Sequence, residues 1–417
     1  VTRPLALSAY RLATGLAQPL VAAWLSGRVR RGKEDPARLA ERWGRASRER
    51  PAGALLWLHG ASVGESLALL SLVERASETR PDLSILATSG TRAAAEVLAA
   101  RLPVGALHHY APLDTPTATR AFIQHWRPDL GVFVESEVWP NLLLAAKAGG
   151  ARLALLSGRL SETSVRRWAR APASARAVFG AFDLVLARDE DQAAKLAALG
   201  ARRDGLIDLK FGASPLPVDA SLAECIRRLG RRPIILAAST HPGEDELILR
   251  AFGEVRRPGA FLILAPRHPE RGEAIARLAA QAGFTVALRS AGQAFNTADV
   301  LVADTVGELG TWYALADLAL IGGSWTPGIG GHNPLEPARI GCPAIAGPHV
   351  EGWPVYAEMA ELGATRLVAA PDLAGVMALA WSEAPALARM AKMATAFVEA
   401  RDRTVVAGLD RTLALLP

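Results

Sequence analysis

Three stretches of this sequence hold residue types whose spacing suits chemistry, and the first contains Glu65. Leu55-Leu56-Trp57-Leu58-His59-Gly60-Ala61-Ser62-Val63-Gly64-Glu65 reads as a buried strand, a tight loop of small residues and a first helical turn. Gly60 and Gly64 permit a sharp turn and close approach of a ligand. The helix continues through Leu67, Leu70, Leu72 and Val73 at helical spacing. A carboxylate in a first helical turn complements the helix dipole. Glu65 is then either a surface charge at a helix end or a base at the carboxyl end of a strand, where open α/β sheets bind ligands. The second stretch, Val134-Glu135-Ser136-Glu137-Val138-Trp139-Pro140-Asn141, follows an apolar strand. If the strand continues through them, Glu135 and Glu137 point the same way. Paired carboxylates can divide acid, base and electrostatic work; a solvated strand-to-helix corner is the plainer reading.

The third stretch runs from Ile321 to Glu336, with five glycines between 322 and 331. Asn333 suits an N-cap, Pro334 the first helical position, and Glu336 stands three residues after the cap. A glycine-rich loop entering a helix is an anion site. Glu336 either completes a capping box or accepts hydrogen bonds from a ribose; the glycine density favours a ligand. The pattern is neither a dinucleotide fingerprint nor a Walker loop. Three other strand ends are polar: Ser239-Thr240-His241, Arg267-His268-Pro269-Glu270-Arg271 and Asp304-Thr305-Val306-Gly307-Glu308. In a parallel sheet such ends line one edge, and several together make a pocket. Arg267 suits bidentate phosphate binding. The histidines can serve as phosphate donors, loop caps or metal ligands, but no metal-type spacing supports the last. Lys210, between Leu209 and Phe211, is either a hinge cation for a phosphate or carboxylate or a solvated charge. Arg159, Arg166, Arg167, Trp168 and Arg170 form a basic patch that suits an anionic acceptor, a membrane surface or plain solvent.

The elements that must position these residues alternate. Apolar runs at 55–58, 83–88, 106–110, 130–135, 152–156 and 183–187 are separated by helical patterns such as 66–79, 91–101, 115–126, 140–148 and 189–199. Residues 204–220 lack periodicity and read as a linker. Strand runs resume at 233–238, 261–265, 284–288, 300–303, 317–321, 343–346 and 366–369, and 385–415 is helical in pattern. Alternation of this kind predicts parallel sheets covered on both faces, here in two similar halves with a ligand cleft expected between them.

The chain has 417 residues, half of them hydrophobic, which suits about two or three domains. Its net charge of +6 favours anionic partners, but no basic block with interleaved aromatics supports nucleic acid. Cys225 and Cys342 are far apart, so neither a disulfide framework nor a zinc site is expected, and a reducing compartment fits. Residues 5–25 are apolar but interrupted by Arg11, Gln18 and Pro19, with Leu5, Ala9, Leu12, Leu16 and Leu20 near one helical face and Arg28, Arg30, Arg31 and Lys33 following. No signal-peptide cleavage site follows, and Arg11 disfavours a spanning helix. An interfacial helix with a trailing basic cluster and a helix packed on its own domain both fit.

Taken together, these motifs resemble the 3-deoxy-D-manno-octulosonic acid (Kdo) transferases of lipopolysaccharide synthesis. The matching segments are Ser62 to Glu65, Glu135 to Asn141, Leu209 to Phe211, Ser239 to His241, Pro266 to Arg271, Asp304 to Glu308 and Gly330 to Glu336, in family order. The resemblance implies an α/β fold of GT-B type, two Rossmann-like domains with parallel sheets facing across a cleft. It implies residues 1–35 as a membrane-associating helix, 36–205 as an acceptor domain, 206–220 as a linker and 221–417 as a CMP-sugar domain with C-terminal helices. The implied reaction is inverting transfer of Kdo from CMP-Kdo to the lipid A precursor, at the cytoplasmic face of the inner membrane, with no cofactor, no catalytic metal and no nucleic acid partner. By the same resemblance Glu65 is the base, and Glu135 and Lys210 stabilise the transition state. Arg267, His268, Val306, Gly307, Glu308, Asn333, Pro334, Leu335 and Glu336 form the CMP site, with Ser239, Thr240, His241, Gly330 and Gly331 as further donor-site residues. Ile207, Asp208 and Gly212 depart from the family pattern around Lys210 and put the local conformation there in question. Alternatives are a GT-B enzyme with another nucleotide sugar, an epimerase of the same fold, or a non-catalytic membrane protein that binds nucleotide sugars.

Overall fold

The computed structural model describes residues 4–212, 215–230 and 233–417. Residues 1–3 of the expected N-terminal segment and 213–214 of the expected linker lie outside the described residues. The chain divides into two compact units, Val1–Ala213 with Asp402–Pro417, and Ser214–Arg401.

The first unit holds a parallel sheet of β1 (Leu55–Gly60), β2 (Ser84–Ser89), β3 (Leu107–Tyr110), β4 (Leu130–Val134), β5 (Arg152–Gly158), β6 (Leu184–Ala187) and β7 (Gly205–Leu206). Its order is β3-β2-β1-β4-β5-β6-β7. The second unit holds β8 (Ile234–Thr240), β9 (Phe261–Pro266), β10 (Val286–Leu288), β11 (Val300–Val302), β12 (Leu318–Ile321), β13 (Ala344–Ala346) and β14 (Arg366–Leu367). Its order is β10-β11-β9-β8-β12-β13-β14, again parallel. Two Rossmann-like α/β units are thus present, as the alternation predicts. The strand order reverses between β1 and β4 in the first sheet and between β8 and β12 in the second. Loops that leave two such neighbours diverge and open a crevice at their carboxyl ends.

Central strands are apolar along most of their length because helices cover both faces, with polar residues toward their carboxyl ends. Leu55, Leu56, Trp57 and Leu58 are all fully buried. Trp57 packs against Phe122 (ring centroids 5.1 Å apart) and Phe133 (5.0 Å, nearly edge-on). Its register partner on β4 is Gly131. A Cβ there would meet the Trp57 ring at 3.0 Å and Leu153 Cδ2 at 3.1 Å, so the indole fills the space a side chain would need.

Two boundaries differ from those expected. The segment 206–220 is not a simple tether. β7 joins the sheet edge, and Leu209–Gly212 forms a 3-10 turn with Leu209 and Phe211 buried. The departures around Lys210 are accommodated there. Ile207 is buried, Asp208 Oδ1 accepts from the Lys210 amide (3.0 Å), and Gly212 abuts Ser71 and Val405. At the other end, the tail 402–417 belongs to the first unit rather than to the C-terminal one. Arg75 holds Asp410 through two bonds of 2.7 and 2.9 Å, Arg411 donates to the Asp204 carbonyl (2.9 Å), and Gly408 lies close against Ile207. A helical pattern reveals a buried face but not which domain covers it.

The N-terminal segment forms two helices, Leu5–Leu16 and Gln18–Arg30. One side packs on the first unit through buried Leu7 and Leu25, Tyr10 to Asp114 (2.9 Å) and Asn141 to Thr14 (3.0 Å). Leu5, Leu12, Leu16 and Leu20 stay exposed on the other. Among the described residues no helix is long and apolar enough to cross a membrane.

Gly131→Ala overpacks the Trp57 contact and is expected to lower stability by about 1–3 kcal/mol. A fall in the urea midpoint of the unfolding step that carries the Trp57 fluorescence change checks this.

Candidate active site

The loops after β1 and β4 carry the carboxylates of the first unit. Ser62 caps the helix Val63–Thr79, and Glu65 reaches back to complete a capping box. Glu65 Oε2 accepts from the amides of Ala61 (2.7 Å) and Ser62 (2.9 Å); among the described residues no bond falls on Oε1. The helix-end reading is therefore realised, and it leaves the other carboxylate oxygen uncommitted. Burial pushes the Glu65 carboxyl up, and the two amides pull it down. Glu137 and Glu135 push it up again, so it ends above the ordinary range. That is the direction a base working near neutrality needs.

Glu135 and Glu137 do not act as a same-facing pair. β4 stops at Val134, and Glu135 adopts a left-handed backbone, φ 55°. A non-glycine residue there costs energy that the surrounding structure must hold. The turn sends the Glu135 carboxylate to Arg159, which pairs with it through Nε and Nη2. Glu137 turns inward. It accepts from Trp139 Nε1 (2.7 Å) and lies 3.3 Å from His59 Nε2. Behind it, Thr88 donates its single hydroxyl hydrogen to the Leu58 carbonyl. Thr88 therefore accepts from Trp57 Nε1 and from His59 Nδ1, both at 2.9 Å, while His59 Nε2 faces Glu137. Burial raises the Glu137 carboxyl, but the His59 bond and charge and the Trp139 donor outweigh it and hold it below the ordinary range. Lys210 is exposed on its 3-10 turn. In the basic patch, Arg166 and Arg167 are exposed while Trp168 packs edge-on against Phe179.

In the second unit the polar strand ends gather at the β8–β12 reversal. Glu244, buried to 1% exposure, ties two loops together. Its Oε2 accepts from the amides of His241 (2.9 Å) and Gly323 (2.7 Å), and its Oε1 from Ser324 (3.0 Å) and Trp325 (2.9 Å). Four amides converge on one carboxylate and fix the start of the glycine loop. The loop folds back with Gly331 donating to the Gly323 carbonyl (2.8 Å) and Gly352 to the Gly330 carbonyl (2.9 Å). Both Gly330 and Gly331 have positive φ. His332 then lies over Gly323, where a Cβ would meet its Nε2 at 2.9 Å.

Arg267 and His268 are exposed after β9, with the His268 ring edge-on to His241 at 5.8 Å. Val306 is exposed and Gly307 has φ 93°. Glu308 is held by Thr305 and by Arg289 at 2.6 and 3.2 Å. Asn333 Oδ1 accepts from the Leu335 amide (3.0 Å), and its Nδ2 donates to Glu336 Oε1 (3.3 Å). Pro334 thus occupies the cap position and the short helix begins at Leu335, one residue later than expected. Glu336 completes no capping box; burial raises its carboxyl against the pull of Asn333 and Arg267.

Three expected site residues face inward. Leu335 and Pro334 are buried, and the fully buried Thr240 gives its hydroxyl to Asp245 (2.6 Å), which also holds Arg271. Thr240 is wall, not ligand contact, because β8 bulges at Ser239 (φ 58°) and turns it into the core. Among the described residues no cluster of three or more His, Cys, Asp or Glu side chains could hold a metal ion. Sequence reasoning assigned no role to His59, Thr88, Glu244 or His332. For Glu244 a signal existed: it stands three residues after His241, the spacing of a carboxylate reaching back over a helix start.

Glu244→Gln puts an amide N–H against backbone donors. The Gly323, Ser324 and Trp325 amides are expected to exchange hydrogen at least about tenfold faster, since an unmade buried bond costs about 1–3 kcal/mol; site-resolved hydrogen exchange checks this.

Known proteins agree with this architecture. The sequence profile of a family described as 3-deoxy-D-manno-octulosonic-acid transferase (kdotransferase) matches residues 37–213. A 3-deoxy-D-manno-octulosonic acid transferase of Bordetella pertussis is 37% identical over 385 residues, covering 87% of this chain and 88% of that one. A probable mitochondrial 3-deoxy-D-manno-octulosonic acid transferase of Arabidopsis thaliana is 37% identical over 360 residues, covering 82% and 79%. The fold alone is shared with a glycosyltransferase from Rickettsia africae, with a TM-score of 0.57 at 12% identity over 88% of this chain and 99% of that one. With carboxylates and a glycine loop at its two strand-order reversals and relatives this similar along most of their length, the chain is a glycosyltransferase that belongs to the 3-deoxy-D-manno-octulosonic acid transferase family.

Proposed function

We propose that this enzyme transfers Kdo from CMP-Kdo to the lipid A precursor (lipid IVA) with inversion at the anomeric carbon, at the cytoplasmic face of a bacterial inner membrane. One observation carries the reading: a buried carboxylate of raised pKa, Glu65, with one oxygen uncommitted, at the strand-order reversal of the first unit. In this reading Glu65 takes the proton of the acceptor hydroxyl as that oxygen attacks. The bond from sugar to phosphate breaks, its electron pair goes to the phosphate, and CMP leaves. Fixed donors stabilise the developing charge. Arg267 and His268, the Val306–Glu308 turn and Asn333 to Glu336 would hold CMP, with His241, Ser239, Gly330 and Gly331 completing the donor site. Lys210 would balance the donor's carboxylate and phosphate. Glu135, fixed in place by Arg159, would stabilise the transition state with Lys210.

A lipid acceptor is supported by a cavity of about 310 Å³ in the first unit. Trp24, Leu25, Leu113, Trp139 and Leu142 supply apolar walls, with Ala61 and Glu137 at its edge. A membrane surface is supported by exposed Leu5, Leu12, Leu16 and Leu20, followed by Arg28, Arg30, Arg31 and Lys33. An apolar face with a trailing basic cluster suits an anionic bilayer interface.

Glu65→Gln is expected to keep CMP affinity and to lose about a hundred- to ten-thousand-fold in transfer. Calorimetry and mass spectrometry of the lipid product measure the two separately. Glu65 must be ionised to act, so activity rises with pH through its raised pKa. Glu137→Gln removes a negative neighbour and lowers that pKa, which is expected to move the acidic limb of the rate profile to lower pH. Wild-type turnover in Glu65→Gln would remove it from the base role. Leu12→Asp with Leu16→Asp is expected to weaken binding to anionic vesicles while turnover of a detergent-dispersed acceptor persists; unchanged sedimentation with vesicles would sink the interfacial role.

A further inference from the structure

His241 and His332 come from segments 91 residues apart, yet their Nε2 atoms lie 2.9 Å from each other. The rings are close to parallel, 13° between planes with centroids 5.1 Å apart. Both side chains are half-buried, so solvent and ligands reach them. We propose that this histidine pair is a proton-loading anion site, which takes one proton from solvent when a phosphate dianion binds beside it. The proposal rests on reading the second unit as the CMP site.

The hydrogen-bond geometry limits the protonation states. One Nε2 must carry a hydrogen and the other must not. The uncharged pair meets that condition, with the donor ring's Nδ1 unprotonated. One further proton can enter at that Nδ1 and leave the Nε2 bond intact. A second would set two N–H groups head to head. The pair is therefore built to gain a single charge.

Its surroundings keep it uncharged while empty. His332 is pushed down to about 4, first by burial and then by His241, Arg267 and His268. His241 is lowered by burial, by His268, by Arg271 and by Arg267, with Glu244 opposing. Glu244, held in place by four amides, is the strongest of the charges acting on His241, and burial still outweighs it. Arg271 is paired with Asp245. Glu270 lies 3.6 Å from His268, Glu336 accepts from Asn333, and on the loop behind Gly330 His349 and Glu351 face each other at 3.8 Å. Burial and the nearby Arg267 and Arg271 thus disfavour charge on the empty pair, and the preference reverses when a dianion arrives, since an opposite charge within a few ångströms favours the protonated form.

The consequence for transfer is electrostatic. When the bond from sugar to phosphate breaks, the phosphodiester monoanion becomes a monoester with a second ionisation near pH ~6. One more negative charge appears while the acceptor's proton resides on Glu65. The proton taken from solvent by the pair offsets that charge without being transferred.

Calorimetric titration of the intact enzyme with CMP, and separately with cytidine, in HEPES and in Tris at about pH 7.5, reads the proton directly from the buffer dependence of the enthalpy. CMP is expected to bring in about one proton and cytidine none, and CMP affinity should fall by up to about tenfold per pH unit above neutrality. His332→Gln and His241→Gln, each checked for an unchanged unfolding midpoint, should still bind CMP more weakly and lose most of the uptake. CMP binding without proton uptake, or undiminished uptake in both variants, overturns the histidine site and leaves the nucleotide assignment standing. Absence of CMP binding to the wild type overturns both.

Discussion

A parallel sheet covered on both faces has room for polar chemistry only at its ends, and every reactive group described here obeys that constraint. In the first sheet β1 and β4 leave their carboxyl ends in diverging directions, and Glu65 and Glu135–Glu137 stand on those two exits. In the second, β8 and β12 play the same part for His241 and the glycine loop. The placement depends in turn on register. Trp57 lies opposite Gly131, and its ring needs the space that glycine leaves. A shift of one residue along β1 would reverse its faces and carry His59 away from Glu137.

Within that frame the buried carboxylates differ by their donors rather than by their residue type. Removing an ion from water costs several kcal/mol, and each carboxylate recovers it differently. Glu244 uses both oxygens on four amides and serves as an anchor. Glu137 is held by an imidazole and an indole N–H, and its ionised form is favoured. Glu65 receives two amides on a single oxygen, stays near two other negative charges, and is left incompletely compensated. An uncompensated carboxylate has the most to gain from a proton, which suits a base.

Much of this was legible in the linear pattern. Apolar runs spaced by helical periodicity located the strands, and the clustering of Gly, His, Arg and Glu at their ends located both loops. The exceptions have local causes. Strand β7 has two residues and no pattern to read. Thr240 looked like a ligand contact until the bulge at Ser239 turned it toward Asp245. Asn333 looked like a helix cap at the first turn, and its side chain does bond a helical amide, but the helix starts one residue later.

The order of amino acids by itself determined the α/β alternation, the polar strand ends and the family, because burial and turn formation are written in near-neighbour spacing. Only the tertiary structure decided the partners. Glu135 meets Arg159, Glu244 meets Gly323 to Trp325, His241 meets His332, and Asp410 returns to Arg75. Such pairs join segments whose separation along the chain carries no period. Their hydrogen bonds depend on distances that exist only after the strands have taken their places in the sheet.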